Sequence, residues 1–296
     1  MGSRRIRKTV GLLLWVALAL ANGASSDAQV RAVTDYRSAV RDGTKTTYLD
    51  LLRKIFPDVE MDTGGAQDAM AQTSIPLNHL FGDYRGKVYR GEMRISGVYS
   101  PGEQKRNRGQ LLLLVQAHSD DGELFNWGDI SVLALFQLEP TVKLLDAADT
   151  QGDRFTSFWE EQPLLAISPQ QDAVIIANSH HNSSQGYLGL TLVSAEDNRL
   201  RTIFELPTLL NTNGCGNNFS QTPSITVLKG SKNGARSNLS VQVKLVKERD
   251  DEGCEKRTAG YTRYYRALLV WNSSQRMYQA TGNALTRLAR FNEQNY

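Results

Sequence analysis

The stretch Ile130-Ser-Val-Leu-Ala-Leu-Phe-Gln137, followed by Leu138-Glu-Pro140 and then Thr141-Val-Lys-Leu-Leu-Asp146-Ala147, decides the fold. It reads as an apolar run of strand length, a short turn and a second half-apolar run, which together make a hairpin. Two later stretches repeat the form. Tyr187 to Val193 leads through Glu196-Asp197-Asn198 to Leu200–Leu206, and Tyr265 to Trp271 leads through Asn272-Ser-Ser274 to Met277–Ala280. Phe136, Val193 and Trp271 fall at matching places before each turn, although the spacing between units is unequal.

Working outward, the same signals mark strands at Lys87–Tyr99, Gln110–Ala117, Leu164–Ile167, Ala173–Ala177, Ser224–Leu228 and Leu239–Val246. Pro140, Pro169-Gln-Gln-Asp172 and the two polar turns above punctuate them. Turn-length links require antiparallel pairing, because parallel neighbours need crossovers of a dozen or more residues. The expected fold is mainly β, an antiparallel meander arranged as a propeller or a two-sheet sandwich, with a short helical N-terminal lead-in. Three segments follow: a signal peptide over 1–24, the helical lead-in and loop over 25–83, and an antiparallel β domain over 84–296.

In the lead-in, Thr34 or Asp35 is placed to cap a helix ending near Gly43. A second helix starts after Thr46 or Thr47, puts Tyr48, Leu52, Ile55 and Phe56 on one face, and stops at Pro57. Residues 58–78, with Gly64-Gly65, read as loop with one short helix. At the other end, a helix follows Gly282 with Asn283 as cap and Leu285, Leu288 and Ala289 inward.

The first residues carry Arg4, Arg5, Arg7 and Lys8, then an uncharged run from Val10 to Ala21, then Ala19-Leu-Ala21 with Asn22 and Gly23 close behind. This is the build of a secretory signal, and the apolar run is shorter than the roughly 20 residues a bilayer-spanning helix needs. The expectation is an exported protein, periplasmic or secreted, with no membrane span in the mature chain. The whole chain has 34 Lys and Arg against 31 Asp and Glu. Removing the four basic residues of the signal leaves 30 against 31, so the mature chain is near neutral and gives no global reason to bind nucleic acid.

Only two cysteines occur, Cys215 and Cys254. In an oxidising compartment an isolated pair bridges, closing a loop of about 40 residues for roughly 4 kcal/mol in the chain-entropy account. Asn182, Asn218, Asn238 and Asn272 open N-x-S triplets, which in a eukaryotic secretory pathway would be surface glycan acceptors.

No catalytic motif stands out. His118 and Asp120 follow one strong strand, and His180-His181 follow another; if both strand ends open on one rim, the four could hold a divalent metal or form a His–Asp pair. Exposed turns use the same residue types. Asp146, Asp149, Gly152 and Asp153 form an acidic stretch that invites calcium but lacks the EF-hand spacing. Glu160-Glu161, as neighbours, point to opposite faces of an extended chain. Trp127, Trp159 and Trp271 fit core packing better than a carbohydrate surface. The expected function is a non-enzymatic binding or interaction module of the cell envelope or exterior with no cofactor and no assigned partner; the alternative is a metal-assisted hydrolase using the His/Asp rim.

Overall fold

Leu111, Leu113 and Val115 point one way from their strand, Leu112 and Leu114 point the other, and all five are buried. An unbroken apolar run is what a strand needs when both of its faces are covered. That strand lies in the middle of the molecule, in a computed structural model that describes residues 29–31, 33, 35–41, 43–61, 69–71, 76–79, 85–87, 91–101, 109–118, 129–150, 152, 155–181, 184–212, 214–215, 218–233, 236–249 and 258–295.

The first sheet takes β1 (Gln29–Arg31), β2 (Glu60–Met61), β3 (Ala69–Ala71), β4 (Pro76–His79), β5 (Arg85–Lys87), β6 (Gly91–Ser100), β7 (Gln110–His118), β8 (Asp129–Gln137) and β9 (Lys143–Asp149). Its order is β2-β3-β6-β7-β8-β9-β4-β5, with β1 also on β6. The second sheet takes β10 (Thr156–Phe158), β11 (Leu164–Ser168), β12 (Gln171–His181), β13 (Gln185–Glu196), β14 (Arg199–Thr212), β15 (Phe219–Asn233), β16 (Arg236–Lys247), β17 (Tyr261–Asn272) and β18 (Met277–Ala280). From β12 onward its strands run in sequence order, with β10 and β11 both on β12. Pairing is antiparallel apart from β4 with β9. Two helices complete the described chain, α1 (Tyr48–Ile55) and α2 (Ala284–Asn295).

Three cores stack through the fold. The first lies between α1 and one face of the first sheet, with Leu51, Leu52 and Phe56 against Leu113, Val115 and Phe136. The second lies between the sheets, with Tyr99, Leu112, Leu114 and Leu133 against Phe158, Val174 and Ile176. The third lies within the second sheet, with Ile175, Leu190 and Leu192 against Val241, Val243 and Leu269. β14 and β15 pair only at Asn211↔Ser220 and Thr212↔Phe219, so the second sheet turns over there and its two halves face each other. Each fully buried large apolar side chain contributes about 1.5–3 kcal/mol.

The architecture is therefore sandwich-like, and the propeller reading is corrected. The three look-alike hairpins do not form a repeat: Phe136 packs in the first core, Val193 in the second and Trp271 in the third. Hairpin form is local, and what each apolar face meets is not.

The helical N-terminal lead-in is corrected as well. Where a helix was expected to end near Gly43, Asp35 Oδ1 accepts from Arg37 N–H and Ala39 bridges to Thr47. The Val40 N–H bonds the Thr46 carbonyl ahead of it rather than a carbonyl four residues back, so the segment turns instead of continuing as a helix. Among the described residues of the lead-in eight are helical, Tyr48–Ile55, closed by a capping box: Thr47 Oγ1 accepts from Asp50 N–H, and Asp50 Oδ2 accepts from Thr47 N–H. Residues 60–61, 69–71 and 76–79 are short strands of the first sheet where loop with a helix was expected. At the C-terminus Leu288 is buried as expected, but Ala289 is exposed and Phe291 takes its place against the third core. No helix among the described residues is long and apolar enough to cross a membrane.

The first half of the acidic stretch is strand rather than loop. Asp146 and Asp149 belong to β9, and both are buried. A bulge opposite Leu135 and Phe136 turns Asp146 toward the second sheet, where it accepts from Leu200 N–H at 2.8 Å and pairs with Arg199 at 3.5 Å. Asp153, the signal segment 1–24, Trp127, Asn182 and Cys254 lie outside the described residues.

Candidate functional site

Four turns and strand ends meet at one end of the second sheet. Asp197 and Asn198 link β13 to β14 with φ of 51° and 60°. Two consecutive left-handed residues make the two-residue hairpin turn that suits strand twist, and Asp and Asn adopt it most readily among residues with a side chain. Asn272 sets the β17–β18 turn by accepting on Oδ1 from the N–H groups of Ser274 and Gln275 and from Ser274 Oγ. Gln170 and Gln171 form the turn into β12, and Arg236 opens β16. With Gln110 at the start of β7, residues of these turns and strand ends line an open polar cavity of about 470 Å³.

Its floor is a cation on an indole. The Arg236 guanidinium lies 3.6 Å from the centre of the Trp271 ring, and Trp271 meets Tyr278 edge-on at 5.2 Å. Arg236 is buried, pairs with Glu196 Oε1 and donates to Gln171 Oε1 at 3.1 Å. Gln171 Nε2 in turn donates to the Ala195 carbonyl. Arg276 bridges the two hairpin tips, 3.6 Å from Glu196 and 2.8 Å from Asp197. It does so from φ 54°, an uncommon backbone for a side-chain-bearing residue, which the two ion pairs help hold. Two cations and two carboxylates thus neutralise each other around the cavity.

Hydrogen-bonding capacity is left over. Among the described residues Arg236 Nη1 and Gln110 Oε1 are buried without a hydrogen-bond partner, while Gln110 Nε2 donates to Asn198 Oδ1 at 3.2 Å. Burial brings Arg236 down to about 10, with Arg276 adding to the effect and Tyr278 opposing it, so the guanidinium stays charged at neutral pH. Burial pushes the Tyr278 phenol up to about 12 against the pull of Arg236.

Of the residues expected to form a metal rim, the structure describes the side chains of His180 and His181. His180 and His181 follow one another on β12 and so face opposite sides of the sheet. His180 stacks on its cross-strand neighbour Tyr187 at 6.1 Å and meets Phe155 edge-on at 6.4 Å. The His181 ring lies against Gly186, where an added Cβ would come within 2.6 Å of Cε1. The His118 backbone pairs with Asp129 at the end of β7; its side chain and Asp120 lie outside the described residues. Among the described residues no three His, Cys, Asp or Glu side chains converge. Trp159 and Trp271 are buried, in keeping with core packing. Asn238 is buried too, so it is not a surface acceptor for a glycan.

Three turns that the sequence marks as punctuation, around Gln170, Asp197 and Ser273, supply much of the cavity rim. Arg236 and Gln110 carried no signal of their own: each is a polar residue at the start of an apolar strand. No family model, curated protein or solved structure matches the chain.

Proposed function

We propose that this chain is an exported, non-enzymatic binding module that holds a small polar ligand among its hairpin tips. The observation that carries the reading is that two residues lining the cavity each hold a buried polar atom with no partner among the described residues, a donor on Arg236 and an acceptor on Gln110. Buried polar groups without partners are costly, and a ligand that offers an acceptor to one and a donor to the other removes that cost. Hydroxyl groups do both, so polyhydroxylated molecules are the favoured class. The cavity is within the size range of small-molecule sites, and it sits at strand ends on a rigid scaffold. Export follows from the basic-then-apolar leader, and a Cys215–Cys254 bridge would suit the oxidising compartment it leads to.

The test is a thermal-shift screen of the purified mature chain against monosaccharides, polyols and amino acids at millimolar concentration. A ligand that binds only the folded state raises the melting temperature. The expected result is a shift from at least one polyhydroxylated compound that disappears in Gln110→Leu. No shift across the panel, or a shift unchanged in Gln110→Leu, overturns the proposal.

A further inference from the structure

The opposite end of β17 carries a different groove. Arg263 and Tyr265 from β17 face Arg287, Arg290, Phe291 and Gln294 from α2 across about 310 Å³. The helical residues recur at three- and four-residue spacing, so they form one stripe along α2. The helix is seated by Leu288 and by Gln221, a buried residue of β15 that donates to Asn292 Oδ1 at 2.6 Å and accepts from Leu209 N–H at 3.1 Å.

The lining holds three guanidinium groups and no carboxylate. Among the described residues, none of the three has an acidic side chain within ion-pair distance. Aromatic rings hold two of these cations instead. Arg287 lies over Tyr265 at 6.0 Å and Arg263 over Tyr261 at 5.3 Å, with Arg263 also donating to the Tyr265 hydroxyl at 3.5 Å. Beside them Lys247 lies over Phe219 at 5.4 Å, and Phe219 meets Phe291 edge-on at 5.0 Å. A ring positions a cation without neutralising it, and a guanidinium held that way keeps its N–H edge for another partner. Neither Arg287 nor Arg290 makes a side-chain hydrogen bond to a described residue.

Three like charges around one groove repel each other, and a ligand with several oxyanion groups relieves the repulsion while accepting from the planar forks. One carboxylate engages one fork, whereas three forks call for a ligand with linked anionic groups. We propose that this groove binds a soluble oligophosphate, at a site separate from the hairpin cavity.

Titration of the mature chain with tripolyphosphate by calorimetry at about 0.15 M salt tests this. The expected result is saturable binding that weakens about tenfold or more in Arg287→Gln/Arg290→Gln and is unchanged in Gln110→Leu. Both arginines are exposed, so melting of the double variant should match the wild type and separate lost binding from lost folding. Absence of saturable binding overturns the proposal, as does binding that survives the double substitution. Binding to phosphatidylglycerol vesicles without binding to tripolyphosphate also overturns it, since that would make the groove a membrane contact. Because Gln110→Leu reports only on the cavity, either site can fail without the other.

Discussion

Tyr99 on β6 donates its phenol hydrogen to Asp172 Oδ2 on β12 across 2.8 Å, inside the core that joins the two sheets. Both residues are buried. Burial first, and then the Asp172 charge, raise the phenol well above its ordinary value of 10.0. Tyr99→Phe should cost about 1–3 kcal/mol in urea denaturation, because it takes a donor from a buried carboxylate. The sign with pH follows from the raised value. The folded phenol keeps its proton where the unfolded one loses it, so the stability from this group is complete below about pH 10 and lost as pH rises beyond it. Wild-type stability should therefore fall more steeply above pH 10 than that of Tyr99→Phe; equal slopes would contradict the assignment.

Gly97 and Phe158 pack directly against each other between the sheets. A Cβ on Gly97 would lie 2.5 Å from Phe158 Cδ2. Phe158 is buried among the leucines of the middle core and has little room to move. Gly97→Ala should destabilise by about 1–3 kcal/mol, the usual cost of overpacking. Phe158→Leu in the same chain should recover part of that loss, because it removes the ring atoms that clash. A double-mutant cycle by chemical denaturation measures the recovery, and strictly additive losses would show that the two positions do not touch.

Arg236 should matter to stability as much as to binding. Its partner Glu196 is also largely buried, with a side-chain exposure of 12%. Arg236→Met leaves that carboxylate with Arg276 at 3.6 Å and the Ser194 hydroxyl at 3.4 Å, and a loss of about 3 kcal/mol is expected from breaking a buried pair on one side. Arg236→Met/Glu196→Gln should be less destabilised than Arg236→Met alone. Denaturant midpoints of the two variants settle the order.

The proposed Cys215–Cys254 bridge is checked by peptide mapping of the non-reduced mature chain. The expected result is one cross-linked peptide pair that separates on reduction, with a lowered melting temperature afterwards. A chain closing about 40 residues should lose roughly 4 kcal/mol in the entropic account. Two alkylatable thiols in the untreated protein would remove the bridge.

Much of the strand content was legible because the strands carry strong apolar signals. Leu111–Val115 and Val132–Phe136 are covered on both faces and read as solid apolar runs. The polar ends were not legible. β14 runs on to Thr212 and β15 to Asn233, because backbone pairing continues past the last apolar side chain. The buried aspartates of β9 looked like a hydrated loop, since composition cannot show that a bulge turns Asp146 onto the Leu200 amide. The cavity was half legible: its turns stood out, but its central cation did not.

By itself the sequence determined that the chain forms antiparallel ribbons and where they turn, because alternation of side chains and turn chemistry act over a few residues. Only the tertiary structure decided which ribbons face each other. That choice set Arg236 on Trp271 and Tyr99 on Asp172, and it lined one groove with three arginines. These contacts join residues far apart in the chain, and their energies depend on burial and distance, which exist only once the sheets have packed.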